Sequence, residues 1–246
     1  MEQLIHEIRA QANALSFSGV ISIFRADEEI FNEGFGFADR TNARKNTTTT
    51  KFGTASGTKS FTALAIGKLI DESKLRLETT VHDIFQKDLS WIAPNATIGQ
   101  LLTHTSGIFD HYDEDLITDF DNFFVDIPWY KLETPTHYLP LFEGKTPKFL
   151  PGERFSYSNG GYLFLGIIIE EVTKQLYRDF VITAVFAPAH MSDSGFYAFN
   201  DLPQNTANGY KHNGETSIYN LPIRGASDGG AFTTTYDLQK FWNALL

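Results

Sequence analysis

Residues 2–15 set Leu4, Ile5, Ile8, Ala12 and Leu15 near helical spacing among charged and amide side chains, which predicts an amphipathic helix. Gly19 to Phe24 and Ile30 to Phe37 read as two strands, separated by the charged turn Arg25-Ala26-Asp27-Glu28-Glu29. The polar run Asp39 to Thr50 shows neither period and is expected to be a loop. Beyond it, Phe61, Leu64, Ala65, Leu69 and Ile70 mark a helix that should end near Asp71-Glu72-Ser73-Lys74. Thr97 starts another, with Ile98, Leu101 and Leu102 facing inward and an end around Ser106-Gly107.

Residues 109–149 are acidic and aromatic-rich with several proline breaks, so short helices and loops are expected there. Pro151-Gly152 marks a turn, and Asn159-Gly160-Gly161 opens a strongly apolar helix from Tyr162 to about Lys174. A last helix begins near Tyr236-Asp237-Leu238 and is still running at Leu246. Two strands alone make a marginal sheet, so further strands are expected to follow residue 246.

Length and composition narrow the classes. The 246 residues fit one large domain or two intimately packed ones, and 42% hydrophobic with 20% charged residues is ordinary for a soluble globular chain. A net charge of −10 argues against a nucleic-acid partner. The absence of cysteine excludes disulfides, thiolate metal sites and cysteine nucleophiles. No run approaches the roughly 20 apolar residues of a membrane span. The N-terminus from Met1 to Glu7 lacks the basic-then-apolar pattern of an export signal. A cytoplasmic location is therefore expected as written, and an extracytoplasmic one if a leader was removed.

Candidate chemistry centres on Ser56-Gly57-Thr58-Lys59, where a polar turn meets an apolar helix. Three-residue spacing puts Ser56 and Lys59 on one face of the first helical turn. The ammonium favours the serine alkoxide, and the N–H groups of a helix start face developing negative charge. That is nucleophilic catalysis without histidine. A second candidate is Tyr157-Ser158-Asn159. In extended backbone Tyr157 and Asn159 share a side while Ser158 faces away. A phenol beside an ammonium can act as general base toward a serine hydroxyl and then protonate the leaving group. Asn159 offers a donor and an acceptor for Lys59 and for a substrate amide or carbonyl. Taken alone, such a turn is more often structural.

Taken together, these segments are recognisable. The chain resembles the serine β-lactamase and penicillin-binding-protein superfamily, on its class C, D-alanyl-D-alanine carboxypeptidase and family VIII esterase branch. The resemblance runs in order through Phe52–Ala63, Leu75–Val81, Leu101–Gly107, Pro151–Gly166 and Asp228–Leu238. It implies an α+β, β-lactamase/transpeptidase-like fold: an antiparallel sheet flanked by helices, a mainly helical lobe, and the active site between them. Residues 1–60 would supply the N-terminal helix, first strands and nucleophile loop. Residues 61–200 would form the helical lobe, and residues 201–246 would return towards the α/β part.

Ser56 would be the acylated nucleophile, Lys59 its activating partner, Tyr157 the general base, and Asn159 the substrate-binding residue that positions Lys59. The oxyanion hole would use the Ser56 N–H and a second N–H from a late strand. That strand's Lys-Thr-Gly or His-x-Gly motif does not occur between Gly230 and Leu246. His212-Asn213-Gly214 matches as a string but precedes Gly229-Gly230 in a polar loop, and is read as a decoy.

Other signals are set aside. Gly225-Ala226-Ser227-Asp228-Gly229 matches the G-x-S-x-G elbow, but no histidine follows it, so a glycine-rich turn is expected. His104 is read as a hydrogen-bonded structural residue, and Asp110, His111 and Asp113 as solvated loop residues rather than metal ligands. The acidic run Asp113 to Asp126 is read as a surface face; its alternative is a cleft wall in which Trp129 and Tyr130 pack against an acyl or peptide side chain. The reading is a serine hydrolase acting through an acyl-enzyme on a β-lactam, a D-amino-acid peptide or a carboxylic ester, with a small-molecule or peptide substrate as partner and no cofactor or metal. The alternative is a non-catalytic or slowly acylated penicillin-binding module.

Overall fold

A computed structural model describes residues 2–26 and 28–245; Asp27 of the charged turn and Leu246 of the last helix lie outside the described residues. Helix α1 (Glu2–Ala14) puts its apolar stripe onto an antiparallel pair, β1 (Gly19–Arg25) and β2 (Glu28–Phe35). Ala12, Phe31 and Phe35 are buried between them, with Ile5, Ile8, Ile21 and Ile23 packed around. The strand expected to reach Phe37 breaks at Gly36, which takes φ +64; a Cβ there would lie 2.8 Å from the Ser18 side chain. Beyond the break, β3 (Phe37–Asp39) pairs with β4 (Arg44–Lys45), which lies inside the stretch expected to be a loop. Asp39 closes this hairpin by accepting the backbone and side-chain N–H groups of Asn42, a turn with no hydrophobic period to announce it.

The helical lobe is built on α2 (Thr58–Asp71) and α5 (Asn159–Thr173), with α3 (Val81–Phe85), α4 (Ile98–Leu102) and α6 (Tyr177–Val181) around them. Helix α5 is apolar on every side because every side is covered: Leu163, Leu165, Ile168 and Ile169 are fully buried. Each such side chain contributes about 1.5–3 kcal/mol on burial. Phe61 of α2 meets Phe186 and Phe241 edge-on at 4.9 and 5.1 Å, which ties α7 (Thr235–Leu245) to the same core.

Two features aim this lobe at a site. Strand β5 (Phe52–Gly53) pairs with β6 (Phe232–Thr233), so the chain just before Ser56 is held by residues far along the sequence. Helix α4 starts after Thr97 as expected, with Thr97 and Gln100 forming a reciprocal capping box, yet it stops at Leu102 rather than near Ser106. His104 adopts φ +58, which a continuing helix cannot accommodate, and the chain turns towards the start of α5. Among the described residues, no helix is long and apolar enough to cross a membrane.

Candidate active site

Ser56 lies in a tight turn, Ala55–Gly57, immediately before α2, rather than within the α-helix itself. The turn arises because Ala55 takes the left-handed conformation, φ +45, which is strained for alanine by about 1–3 kcal/mol. Its carbonyl accepts from Thr58 Oγ1 at 2.8 Å and from Gly230 N at 3.3 Å. Thr58 Oγ1 in turn accepts from Ala231 N at 3.0 Å, while Thr54 N donates to Ala231 O at 2.7 Å. The strain is thus held by the segment around β6, and it leaves Ser56 exposed.

One turn on, Lys59 is buried at 7% exposure. Its ammonium donates to Ser56 Oγ at 3.1 Å, Asn159 Oδ1 at 2.7 Å and the Asp228 carbonyl at 2.6 Å, which accounts for all three of its protons. The rings of Tyr157 and Tyr162 lie 5.0 and 5.6 Å from it. The structure therefore brings Ser56, Lys59, Tyr157 and Asn159 together, from positions a hundred residues apart.

Asn159 is the first residue of α5, not the end of an extended stretch. Ser158 is the extended N-cap, its Oγ accepting from Gly161 N at 2.9 Å. Asn159 Nδ2 donates to Tyr112 O at 2.9 Å and to Glu114 Oε1 at 3.1 Å. Gly160 must be glycine, since a Cβ would lie 2.5 Å from the Phe109 carbonyl.

Ser56 and Asn159 open onto a cleft of about 460 Å³. Its walls include Phe52, Trp129, Tyr138 and Phe199, together with the carboxylates Glu114 and Asp228. Glu114 comes from the run Asp113 to Asp126 read as a surface face, and Trp129 lies where the cleft-wall alternative put it, so that alternative holds in part. Tyr130, the other aromatic proposed there, is 66% exposed and is absent from the wall.

Burial dominates the electrostatics. It raises the Asp228 carboxyl, an effect Lys59 opposes. It lifts Asp110 to about 6 despite three backbone N–H donors, and it pushes His111 down to about 3 with help from Lys59. His111 Nδ1 has no hydrogen-bond partner, and its ring packs against Tyr138 and Phe142. Asp110 and His111, expected as solvated loop residues, are buried side chains under the site.

The family described as Beta-lactamase matches residues 1–246. The chain belongs to this family. It is 34% identical over 228 residues to protein flp of Staphylococcus aureus (strain N315), covering 90% of this chain and 44% of that protein. The chain thus spans under half the length of that curated relative. Among solved structures, a penicillin binding protein from Bacillus halodurans superposes with a TM-score of 0.90 at 39% identity, over 96% of this chain and 73% of that one. D-amino acid amidase from Ochrobactrum anthropi SV3, complexed with L-phenylalanine, superposes with a TM-score of 0.77 at 27% identity, over 96% and 66%. The fold is accordingly the β-lactamase-like arrangement of helices and small antiparallel sheets.

Within this fold the competing motifs have structural roles. Ser227 is fully buried, donating from Oγ to Leu163 O at 3.2 Å, while its carbonyl accepts from Thr62 Oγ1 at 2.6 Å. It packs where a side chain on Gly166 would collide, with a Cβ 2.1 Å from Ser227 Oγ. His212 lies in a turn between the bridged residues Tyr210 and Thr216, fully exposed and facing Asp121. Among the described residues, no group of three or more His, Cys, Asp or Glu side chains is gathered as a metal site. Asp228 was missed as a separate site residue, although it opens the Gly-Gly segment that carried the resemblance. The contribution of its carbonyl to Lys59 has no local sequence signal.

Proposed function

We propose that this protein is a serine hydrolase that forms an acyl-enzyme on Ser56. The observation that carries the reading is the Lys59 ammonium, buried, fully hydrogen-bonded and 3.1 Å from Ser56 Oγ. Family membership supports it. In the reaction, Ser56 Oγ attacks the substrate carbonyl carbon and its proton passes to Tyr157. The carbonyl π pair moves onto oxygen, where the N–H of Ser56 at the helix-start turn opposes the charge. As the intermediate collapses, the bond to the leaving group breaks and Tyr157 returns the proton to that leaving nitrogen or oxygen. Water then attacks the Ser56 ester by the same proton route. Lys59 keeps the serine poised, and Asn159 fixes Lys59 while presenting its amide to substrate.

The substrate class we infer is a β-lactam, an amide or peptide of a D-amino acid, or a carboxylic ester. Aromatic walls favour an apolar acyl group, and the Glu114 and Asp228 carboxylates favour a neutral or cationic one. Likeness to a D-amino acid amidase supports the amide. The test is hydrolysis of a short-chain p-nitrophenyl ester by the full-length protein, with Ser56→Ala beside it. Loss of turnover in the variant supports the mechanism, and unchanged turnover sinks it. Stoichiometric labelling by a fluorescent penicillin without turnover would favour a penicillin-binding module instead.

A further inference from the structure

Three consecutive backbone N–H groups at the start of α5 are accepted by side chains of one distant segment. Ser158 N donates to His104 Nδ1 at 3.0 Å. Asn159 N donates to Asp110 Oδ2 at 2.8 Å and Gly160 N to Asp110 Oδ1 at 2.9 Å. The His104 carbonyl also accepts Ser156 N at 3.0 Å, so His104 grips the chain on both sides of Tyr157. Its ring lies 4.6 Å from the Tyr157 ring, tilted by 34°, and 5.1 Å from that of Tyr162. Ser158 Oγ takes only Gly161 N, so Asp110 satisfies two further helix-start donors, while the two His104 bonds lie before the helix, one on each side of Tyr157.

We propose that His104 and Asp110 are positioning residues that clamp residues 156–160 and thereby hold Tyr157 and Asn159 against Lys59. The inference rests on the reading of Ser56 as nucleophile. His104 keeps a left-handed backbone that costs a non-glycine residue about 1–3 kcal/mol, and it persists because contacts on both sides of Tyr157 fix it. Asp110 is buried, and its carboxylate receives a third N–H, from Tyr112, at 3.0 Å. Displacing either side chain frees the residue that bears the phenol or the residue that holds the ammonium.

The clamp has a defined protonation state. His104 accepts through Nδ1, so it must be neutral with its proton on Nε2; burial, then the Lys59 charge, lowers its pKa. The charged and titratable groups facing it are Lys59, Tyr157 and Tyr162. Ionised, Asp110 is an acceptor on both oxygens and matches the three N–H groups it receives, whereas protonation turns one oxygen into an O–H donor among them. It faces His111 at 3.8 Å and Tyr112, as well as Asp113, which is paired with Lys148 at 2.6 Å. Acid therefore opens the clamp at both ends.

The test compares wild type with His104→Ala, His104→Asn and Asp110→Asn in the full chain. The readouts are the rate of Ser56 acylation by a fluorescent penicillin or p-nitrophenyl ester, followed by intact mass, and amide hydrogen exchange at residues 158–160. His104→Ala should slow acylation by about tenfold to a hundredfold, the scale of an ångström misplacement. Asparagine tolerates the left-handed backbone and places an acceptor near the Nδ1 position, so His104→Asn should recover most of the rate. Asp110→Asn should slow acylation and move its acid limb to lower pH. Faster exchange at residues 158–160 in His104→Ala and Asp110→Asn is expected whatever the substrate. Wild-type acylation and exchange in variants that melt cooperatively would overturn the clamp. If Ser56→Ala is still acylated, the nucleophile assignment fails instead, and exchange alone decides whether the clamp exists.

Discussion

Lys59 Nζ and Asn159 Oδ1 meet at 2.7 Å across one hundred residues of chain. The bond joins the first turns of α2 and α5, the two helices at the centre of the core. A buried ammonium carries a large desolvation cost unless every proton is matched, and here three oxygens match it. The same bonds that make burial tolerable aim the charge at Ser56.

Lys59→Met should reveal both consequences. It leaves Asn159 Oδ1 and the Asp228 carbonyl without their donor, each at about 1–3 kcal/mol if no water replaces it. Acylation of Ser56 should fall by roughly a hundredfold to ten-thousandfold. Thermal melts and intact mass after reaction with a penicillin read the two effects; a wild-type acylation rate would remove Lys59 from the mechanism.

Tyr157→Phe separates chemistry from packing. The ring keeps its place against His104 and Lys59, so stability should change by no more than about 0.5 kcal/mol. The phenol is lost, and acylation should drop by about 10²–10⁴. A Phe variant of full activity would show that another group moves the proton.

Gly160→Ala probes the seat of α5. Its Cβ would press on the Phe109 carbonyl at 2.5 Å, and backbone cannot swing aside as a side chain can. Destabilisation of about 1–3 kcal/mol or more is expected, with slower acylation because Asn159 is displaced. Urea melts that match wild type would mean that the two segments separate without cost.

His111 and Asp110 give opposite pH dependences of stability. His111 has a folded pKa of about 3, below the ordinary value, so its contribution is complete above about 6.5 and is lost as pH falls towards 3. Asp110, raised to about 6, contributes below about 4, and that contribution is lost as pH rises through 6. His111→Phe, placed among Tyr138 and Phe142, should remove the first term alone. Between pH 7 and pH 4 the variant should lose less stability than wild type, by on the order of 3 kcal/mol in urea titrations. An equal loss in both proteins would mean that His111 is not held neutral by the fold.

What was legible in the sequence was local. Helical spacing set Lys59 one turn from Ser56, the run from Tyr162 announced a strongly apolar helix, and Thr97 marked a helix start. Motif order also revealed the family. These features follow from 3.6-residue periodicity and from end groups that must be satisfied within a few positions.

Only the tertiary structure decided the rest. It moved Ser56 out of α2 into a strained turn, because β6 and its neighbours hold the Ala55 carbonyl. It supplied the Asp228 carbonyl to Lys59 and set His104 and Asp110 on the start of α5. It also brought Glu114 and Trp129 to the cleft and left Tyr130 outside. Strands as short as β5 and β6 have no pattern of their own and exist by pairing with each other. Such contacts join residues some 45 to 180 positions apart. No local period encodes which distant carbonyl a buried ammonium will meet; core packing makes that choice, once burial leaves each polar group to find a partner.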